Sequence, residues 1–172
     1  MIRKIIILIE DLFEDIEAIY PYYRLIEEGY EVNIVGPQKN KEYKGKHGMN
    51  LKSDISSDQA NLDDVVALVI PGGYAPDRMV RDEDMVNLVK KAVNKCCVIG
   101  AICHGPLMLV EADIIKNKKV TGFKSIRTPL KLAGGILMNN KVVIDGNIIT
   151  AQDAEDVVKF TKAIIVLIGA NK

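Results

Sequence analysis

The chain has 172 residues, with 23 basic and 23 acidic side chains that balance in formal charge. This length predicts one domain over residues 1–172. The balanced charge, without a long basic block, argues against nucleic acid or an anionic membrane as a partner. The apolar runs Ile5–Ile9 and Ala163–Ala170 are too short for a signal peptide and a membrane-spanning helix, respectively, so a soluble, cytoplasmic protein is expected.

Strands and helices alternate along the first half of the chain. Short apolar runs predict buried strands, and apolar residues at helical spacing between turn residues predict helices. Gly45 and Gly48 interrupt short alternating segments, which favours a small β-hairpin. The predicted elements are a strand at Ile5–Ile9, a helix at Glu14–Glu28, a strand at Glu31–Val35, the hairpin at 42–56, a strand at Val65–Ile70 and a helix at Asp82–Asn94.

The second half continues this alternation. Asp145-Gly146 predicts a hairpin turn within a strand-rich stretch at 136–150. The remaining predicted elements are a strand at 96–102, a helix that begins at Gly105-Pro106, a short strand near Val120, a helical segment at 127–133 and a helix at Asp153–Ile168. Buried strands separated by helices predict an α/β fold, a doubly wound sandwich with a mostly parallel sheet. The ligand crevice of such a fold lies at the carboxyl ends of the strands.

Cys103 lies where the predicted strand at 96–102 meets the following helix. Pro106 fits the first position of that helix, so the sulfur is expected near a helix N-terminus, where free N–H groups favour a thiolate. The spacing Ala101-x-Cys103-x-Gly105 resembles a nucleophile elbow, in which small residues flank a strained nucleophile. A buried structural cysteine is the alternative. The placement favours a reactive thiol.

The other two cysteines carry no predicted chemistry. Cys96 and Cys97 are interpreted as small apolar residues of the strand, because neighbouring strand residues point to opposite faces. Three cysteines, two of them adjacent, do not suggest a disulfide framework. With two histidines and scattered cysteines in the chain, no metal site is predicted.

Candidate partners for the thiol converge on the predicted crevice. His104 is the candidate proton acceptor, although its side chain and that of Cys103 are expected to leave the elbow in different directions. The backbone N–H groups of Gly73 and His104 are candidate donors to an oxyanion, and an ordinary tight turn is the alternative for Gly73. His47 is interpreted as a hairpin or surface residue.

An acidic cluster follows the first predicted strand. Most of its carboxylates lie where the next helix is expected to begin, and the helix dipole favours negative charge at that end. Glu17 lies inside the helix, and Glu14, three residues earlier, shares its face. If the Glu17 carboxyl turns toward the crevice and contacts the thiol, we expect a raised carboxyl pKa, with the protonated acid donating to the thiolate.

The sequence resembles the ThiJ/PfpI superfamily in five segments spread over the chain. These are Phe13–Pro21, Gly45–Gly48, Pro71–Pro76, Ala101–Pro106 and Val142–Asn147. The likeness is closest to the small archaeal intracellular proteases of the PfpI type. It implies a flavodoxin-like three-layer sandwich with no cofactor, assembled as a homodimer or as a hexamer of dimers with active sites at subunit interfaces.

The resemblance also implies roles for individual residues. Cys103 is the implied nucleophile, with His104 as its partner and the His104 amide, together with that of Gly73, as the oxyanion site. Glu17 corresponds to the family glutamate that contacts the sulfur, and Glu14 is a second carboxylate nearby. The acid that completes the triad is implied to come from a neighbouring subunit. At that position this chain has Asp77.

Several positions depart from the family pattern. Asp77 is one methylene shorter than the usual glutamate, and Tyr74 replaces the usual arginine. Phe123 stands at the position of a site tyrosine and lacks its hydroxyl group. The segment Ala151–Ala154 replaces a Ser-Arg-x-Pro sequence and lacks its cation. The predicted nucleophile is therefore retained, while the rim of the predicted substrate pocket differs.

Three functions remain in consideration. The first is a cysteine hydrolase that cleaves peptides and resembles intracellular protease PfpI. The second is a cofactor-independent glyoxalase or deglycase, whose thiol adds to a small carbonyl substrate such as methylglyoxal or its adducts and whose carboxylate moves a proton. The third is a stress chaperone or a redox sensor with an oxidisable thiol. A glutamine amidotransferase is rejected because no histidine follows residue 104.

Overall fold

The computed structural model describes residues 3–170, which form a central sheet covered by helices. The strands are β1 (Lys4–Leu8), β2 (Glu31–Gly36), β3 (Glu42–Lys44), β4 (Asn50–Lys52), β5 (Ile55–Ser56), β6 (Val65–Ile70), β7 (Val98–Ile102), β8 (Lys119–Val120), β9 (Ile136–Leu137), β10 (Val142–Asp145) and β11 (Ile148–Ala151). The helices are α1 (Asp15–Glu27), α2 (Ala75–Met79), α3 (Glu83–Asn94), α4 (Pro106–Glu111), α5 (Arg127–Leu132) and α6 (Val157–Ala170), with 3₁₀ turns at 57–59, 124–126 and 154–156.

The main sheet has the strand order β10-β11-β7-β6-β1-β2-β5. All its pairings are parallel except the β10–β11 hairpin at one edge. The central strands β1, β6 and β7 are almost wholly buried, as expected for parallel strands covered on both faces. The strand order reverses between β1 and β6, and this switch point opens the crevice. The predicted doubly wound α/β fold is confirmed.

Two helical layers cover the sheet. α1 and α6 pack against each other, and α4 packs against α2, α3 and α5. On α6, Phe160, Ile164 and Ile168 are buried at four-residue spacing, so one apolar stripe of the helix faces the sheet. None of the helices within residues 3–170 is long and apolar enough to cross a bilayer.

The segment around the two adjacent cysteines differs from the prediction. The strand begins at Val98 instead of residue 96. Cys96 is exposed and has a φ of +59°, so it belongs to the turn that follows α3, and its interpretation as an apolar strand residue is wrong. Cys97 is buried, and its thiol donates to the carbonyl of Val65 at 3.2 Å.

The hairpin predicted at 42–56 is formed by β3 and β4, which pair only with each other. Its last residues, Ile55–Ser56, return to the edge of the main sheet as β5. Asp15 at the start of α1 holds the hairpin turn, because its carboxylate accepts the backbone N–H groups of His47 at 2.9 Å and Met49 at 2.8 Å. The acidic cluster after β1 therefore fixes the hairpin beside the crevice.

Candidate active site

A cavity of about 280 Å³ lies at the carboxyl ends of β1, β6 and β7. Its walls come from the start of α1, the hairpin turn and the segments that follow β6, β7, β8 and β11. Six of the seven predicted site residues line it, namely Glu14, Glu17, Gly73, Cys103, His104 and Phe123, and so do Lys46, Tyr74, Asp153 and Ala154. Residues from distant parts of the sequence thus share one small concave site.

Cys103 occupies a strained turn between β7 and α4. Its φ of +59° lies in the left-handed region that residues other than glycine rarely adopt. Two backbone hydrogen bonds hold this conformation: the Cys103 N–H donates to the Ala151 carbonyl at 3.1 Å, and the Cys103 carbonyl accepts from Phe123 at 3.0 Å. A side chain at position 105 would overlap the carbonyl oxygen of Ile70, so Gly105 is required there. The strained elbow predicted from the sequence is present.

The side chains of Cys103 and His104 are in contact, with Sγ 3.2 Å from Nδ1. The two side chains were expected to leave the elbow in different directions, so that a contact would need a side-chain swing. In the structure, with Cys103 in the left-handed backbone region, both side chains line the cavity and meet directly. The other ring nitrogen, Nε2, lies 3.0 Å from the Ser125 hydroxyl. The Phe123 ring stacks on the imidazole with 5.1 Å between ring centroids. The imidazole is therefore held on both nitrogens and on one face.

Glu17 is fully buried beneath the cavity. Its Oε2 accepts the N–H of Gly72 at 2.7 Å, and its Oε1 has no hydrogen-bond partner among the described residues. Burial is the main reason that the pKa of Glu17 rises to about 8, and the nearby Glu14 charge adds to the rise. The carboxyl also contacts the Cys103 side chain. The expected raised pKa is confirmed, so Glu17 holds a proton at neutral pH.

The thiol itself differs from the prediction of a readily formed thiolate. Burial, together with the charge of an ionised Glu17, raises the pKa of Cys103 to about 12, and the N–H groups of Gly73 and His104 only partly oppose this. The helix beside the sulfur, α4, has 6 residues and contributes a small dipole. The pKa of His104 is lowered by burial and by Lys46, so its imidazole is neutral. A neutral imidazole next to a neutral thiol is placed to accept the thiol proton during the reaction.

The turn after β6 brings a second backbone N–H group to the sulfur. Gly73 has a φ of +74°, and the N–H groups of Gly73 and His104 both point to the sulfur. The turn is tied to the start of α1, because Tyr74 N–H donates to the Leu12 carbonyl at 2.9 Å and Glu14 N–H donates to the Gly72 carbonyl at 3.2 Å. These bonds place the two donors and the Glu14–Glu17 segment in one rigid unit.

Lys46 brings a cation into the cavity that sequence reasoning missed. Its Nζ lies 3.1 Å from Glu14 Oε2 and 5.5 Å from the centroid of the Tyr74 ring. The other carboxylate oxygen of Glu14 lies 2.8 Å from Nε2 of His47, which is exposed in the hairpin turn as predicted. The hairpin therefore places a cation at the cavity, paired with a carboxylate at the start of α1. The segment Gly45–Gly48 was interpreted as a hairpin turn and as part of the family resemblance, and no role was predicted for Lys46.

Asp77 does not line the cavity of its own chain. It lies on α2 with an exposed side chain, and its carboxylate pairs with Arg81 at 2.8 Å. A single chain does not bring this carboxylate to His104, so its implied role in a neighbouring subunit stays a prediction.

Comparison with known proteins shows the family to which the chain belongs. The model of the DJ-1/PfpI family matches residues 3–167. This protein belongs to the DJ-1/PfpI family. It is 38% identical over 165 residues to "Deglycase PfpI" of Pyrococcus furiosus, covering 96% of this chain and 99% of the relative. It is 37% identical over 162 residues to "Putative cysteine protease YraA" of Bacillus subtilis, covering 94% and 96%, respectively. The names of these family members support the prediction of an enzyme.

Solved structures of the family have the same fold. A two-domain protein of Anabaena variabilis, with DJ-1/ThiJ/PfpI-like and ferritin-like domains, superposes with a TM-score of 0.95 at 38% identity. The match covers 97% of this chain and 48% of that one, so the present chain spans about half of that protein. DJ-1beta of Drosophila melanogaster superposes with a TM-score of 0.90 at 23% identity, over 98% and 92% of the two chains. The flavodoxin-like sandwich implied by the family resemblance is confirmed.

Proposed function

We propose that this protein is a cytoplasmic, cysteine-dependent enzyme of the glyoxalase or deglycase type, acting on small reactive carbonyl compounds or on their adducts. One observation carries the proposal: the Cys103 thiol and the protonated Glu17 carboxyl meet in a cavity of about 280 Å³. A cavity of this size suits a molecule of a few heavy atoms, such as methylglyoxal, or the tip of a modified side chain. A relative named deglycase supports the same function.

The first step is the addition of the thiol to an aldehyde. His104 Nδ1, 3.2 Å from Sγ, takes the thiol proton, and the thiolate attacks the aldehyde carbon to form a C–S bond. The carbonyl oxygen becomes an oxyanion facing the N–H groups of Gly73 and His104. Glu17 donates its proton to this oxygen, which completes a hemithioacetal.

The second step moves a proton within the bound substrate. The Glu17 carboxylate takes the proton from the carbon that carries the sulfur, which leaves an enediolate, and returns this proton to the neighbouring carbon. The hydroxyl proton on the first carbon moves to the oxygen of the second, so the first carbon becomes the carbonyl carbon of a lactate thioester. Water cleaves the thioester, the protonated His104 returns its proton to the sulfur, and Glu17 regains a proton from the water. One methylglyoxal and one water thus give one lactate and one proton. One carbon is oxidised and its neighbour is reduced, so no external oxidant is needed. A carboxyl pKa of about 8 lies near the operating pH and suits both transfers.

A peptide hydrolase is the second candidate, favoured by the direct contact between Cys103 and His104. A relative named putative cysteine protease supports this reading. In this function the imidazole is completed by Asp77 of a neighbouring subunit in a dimer or hexamer. The exposed position of Asp77 on α2 leaves its carboxylate accessible to a second chain. Its partner Arg81 is also exposed and forms a pair that is easily exchanged.

A substrate panel distinguishes the two candidates. We expect the wild-type protein to convert methylglyoxal to lactate without added cofactor, and we expect Cys103→Ala to abolish this conversion. Cys96→Ala is the matched control, because Cys96 is a free thiol exposed outside the cavity, and it should retain full activity. Lactate is measured enzymatically and fluorogenic peptides are tested in parallel. Lactate formation that persists in Cys103→Ala, or its absence in the wild type, contradicts the proposal.

Asp77→Asn tests the neighbouring-subunit acid. If Asp77 orients His104 across an interface, this variant should lose about tenfold or more of any peptide hydrolysis, while its folding is unchanged. Asp63→Asn is the matched control, because Asp63 is also exposed and paired with a basic side chain, Lys95 at 3.2 Å. Equal hydrolysis by the two variants, with the oligomer verified by light scattering, would show that Asp77 has no such role.

A further inference from the structure

Glu14, Lys46 and Asp153 are charged side chains in the walls of the active-site cavity. We propose that Asp153 is the specificity-determining residue of this cavity, and that its carboxylate selects carbonyl substrates that carry a positive charge, such as an ammonium or guanidinium group. The proposal rests on the proposed function and deepens it, because it names the charge of the substrate that Cys103 attacks.

The reacting groups themselves contribute little charge at pH 7. Burial raises the pKa of Glu17 to about 8 and the pKa of the Cys103 thiol to about 12, and it lowers the pKa of His104. The carboxyl is therefore mainly protonated at pH 7, the thiol holds its proton and the imidazole is neutral. The electrostatic potential that a substrate meets depends on the lysine and the two carboxylates of the walls.

Lys46 is neutralised by Glu14. Its Nζ lies 3.1 Å from Oε2 of that carboxylate, and Nε2 of His47 lies 2.8 Å from Oε1. Both oxygens of Glu14 are thus occupied by the hairpin turn, while His47 is itself exposed outside the cavity walls. Two opposite charges so close together largely cancel for a molecule several ångströms away. The ion pair adds little net potential to the cavity.

Asp153 has no such counter-charge. Within residues 3–170, no basic side chain forms an ion pair with its carboxylate, and Lys141, on the strand-edge side, lies 3.9 Å from the carboxylate of Asp156 instead. The charge of Asp153 acts inside the cavity, because it contributes to the raised pKa of the buried Glu17. The cavity therefore has a net negative charge at pH 7, and a concave site lined by charge of one sign concentrates ligands of the opposite sign.

The strand that supports the elbow also positions Asp153. β11 runs parallel to β7, and the Ala151 carbonyl at its end accepts the Cys103 N–H at 3.1 Å. Asp153 follows two residues later, and its Oδ1 accepts the Glu155 N–H at 3.1 Å. The carboxylate is half-buried and held at the cavity wall. Water is able to replace a hydrogen bond of this side chain, but it does not replace its charge.

The substrate class follows from this potential. A neutral dicarbonyl such as methylglyoxal gains little from the carboxylate. A 2-oxoaldehyde that carries an ammonium or guanidinium group is attracted to the cavity, and one that carries a carboxylate or phosphate group is repelled. The reaction at the aldehyde carbon is the same for all three.

Two thiol reagents of opposite charge test the potential at the sulfur. Trimethylammonioethyl methanethiosulfonate is cationic and sulfonatoethyl methanethiosulfonate is anionic, and both form a mixed disulfide with Cys103. The exposed thiol is removed by Cys96→Ala. Modification of Cys103 at pH 7 and low salt is followed by mass spectrometry, and each rate is divided by the rate with 2-mercaptoethanol. A change in thiol reactivity alters both rates equally, so the ratio of the two rates reports the charge of the cavity.

We expect the cationic reagent to be favoured in the wild type. Asp153→Asn, which keeps the side-chain size and an acceptor for the Glu155 N–H, should lower the ratio by about tenfold, about threefold from each reagent. In 1 M salt the two proteins should differ by less than about twofold. Glu155→Gln is the matched control, because Glu155 is an exposed acid outside the cavity walls, and its ratio should stay within about twofold of wild type.

Charged 2-oxoaldehydes test the substrate class. Phenylglyoxal is compared with its para-carboxylate and para-trimethylammonium derivatives, and the mandelate products are quantified by chromatography. We expect kcat/KM of the wild type to rise in the order anionic, neutral, cationic. Asp153→Asn should reduce the ratio between the cationic and the anionic substrate by about fivefold, and Glu155→Gln should leave it within about twofold of wild type.

The two measurements separate this proposal from the proposed function. An unchanged reagent ratio in Asp153→Asn, an equal change in Glu155→Gln, or conversion of the three phenylglyoxals without regard to charge overturns the role of Asp153. If the reagent ratio shifts as expected while no 2-oxoaldehyde is converted to a hydroxy acid, the proposed function fails and the negative potential assigned to Asp153 stands.

Discussion

Replacement of Glu17 by glutamine is expected to stabilise the folded protein above pH 8. The pKa of Glu17 is about 8 in the folded chain, against an ordinary value of 4.5. Between these values the folded state holds a proton that the unfolded state has lost, so the free energy of unfolding of the wild type falls as pH rises, by up to about 1.4 kcal/mol per pH unit. Glutamine keeps the side-chain volume and cannot ionise. The gain of the variant over wild type should therefore grow from about zero near pH 4.5 to on the order of 3–5 kcal/mol at pH 8 and above.

Urea unfolding at a series of pH values between 5 and 9 measures this gain. Glu27→Gln is the control, since Glu27 lies on the same helix with an exposed side chain, and its unfolding free energy should follow that of the wild type. If the free energies of unfolding of the wild type and of Glu17→Gln change with pH in parallel, the assignment of a buried, protonated carboxyl is contradicted.

The same substitution should abolish most of the activity. An amide in place of the Glu17 carboxyl is still able to donate to the sulfur, but it carries no proton between the two substrate carbons. Loss of a general acid–base group costs about 10²- to 10⁴-fold in rate. Lactate formation by Glu17→Gln should therefore fall by that factor at every pH, while the protein is more stable. These two results together would show that Glu17 lowers the stability of the fold as pH rises from 4.5 to about 8 and is needed for activity.

Gly73→Ala is expected to disrupt both the fold and the oxyanion site. The φ of Gly73 is +74°, and a β-carbon there would lie 2.5 Å from the Glu14 backbone nitrogen and closer still to the Leu12 carbonyl oxygen. These are backbone atoms, so the turn and the start of α1 must move apart. We expect a loss of about 3 kcal/mol or more in the free energy of unfolding and a loss of activity of about 10²-fold or more.

Gly146→Ala separates the steric effect from backbone strain. Gly146 has a comparable φ of +61°, and a β-carbon at that position meets no atom within 4 Å. It should cost only about 1 kcal/mol and leave activity unchanged. The measurements are urea unfolding and lactate formation for both variants. Equal destabilisation by the two substitutions would show that the close approach at Gly73 is unimportant.

The fold and the reactive atom were accessible to sequence reasoning because both have local causes. The apolar runs of β1, β6 and β7 have the length and continuity of buried parallel strands. Cys103 stands between small residues at the point where such a strand meets a helix, a pattern that corresponds to a defined backbone turn. The environment of Glu17 was also predictable in outline, since a carboxylate among apolar helix residues must lie in a poorly solvated place.

Other features depend on distances that no local pattern encodes. The contact of His104 with Ser125 joins residues 21 positions apart in a turn that has no motif. The raised pKa of Cys103 reflects how deeply the sulfur is buried, which the sequence does not specify. The boundary at Cys96 was missed because cysteine suits a strand or a turn equally well. The ion pair of Lys46 with Glu14 required knowing that the hairpin folds back over α1.

The hairpin of β3 and β4 shares no hydrogen-bonded strand with the main sheet, yet it carries the one lysine that reaches the cavity among residues 3–170. The thiol and this cation therefore lie on different parts of the chain. The hairpin is joined to the start of α1 by backbone hydrogen bonds of Leu12 and Phe13 and by the carboxylates of Asp11, Glu14 and Asp15. Under the proposed function, we expect substitutions in the hairpin turn to alter the choice of carbonyl substrate more than the reactivity of the thiol. The proposed function then predicts that the reactivity of the thiol and the selectivity of the cavity can be engineered, or can diverge, separately.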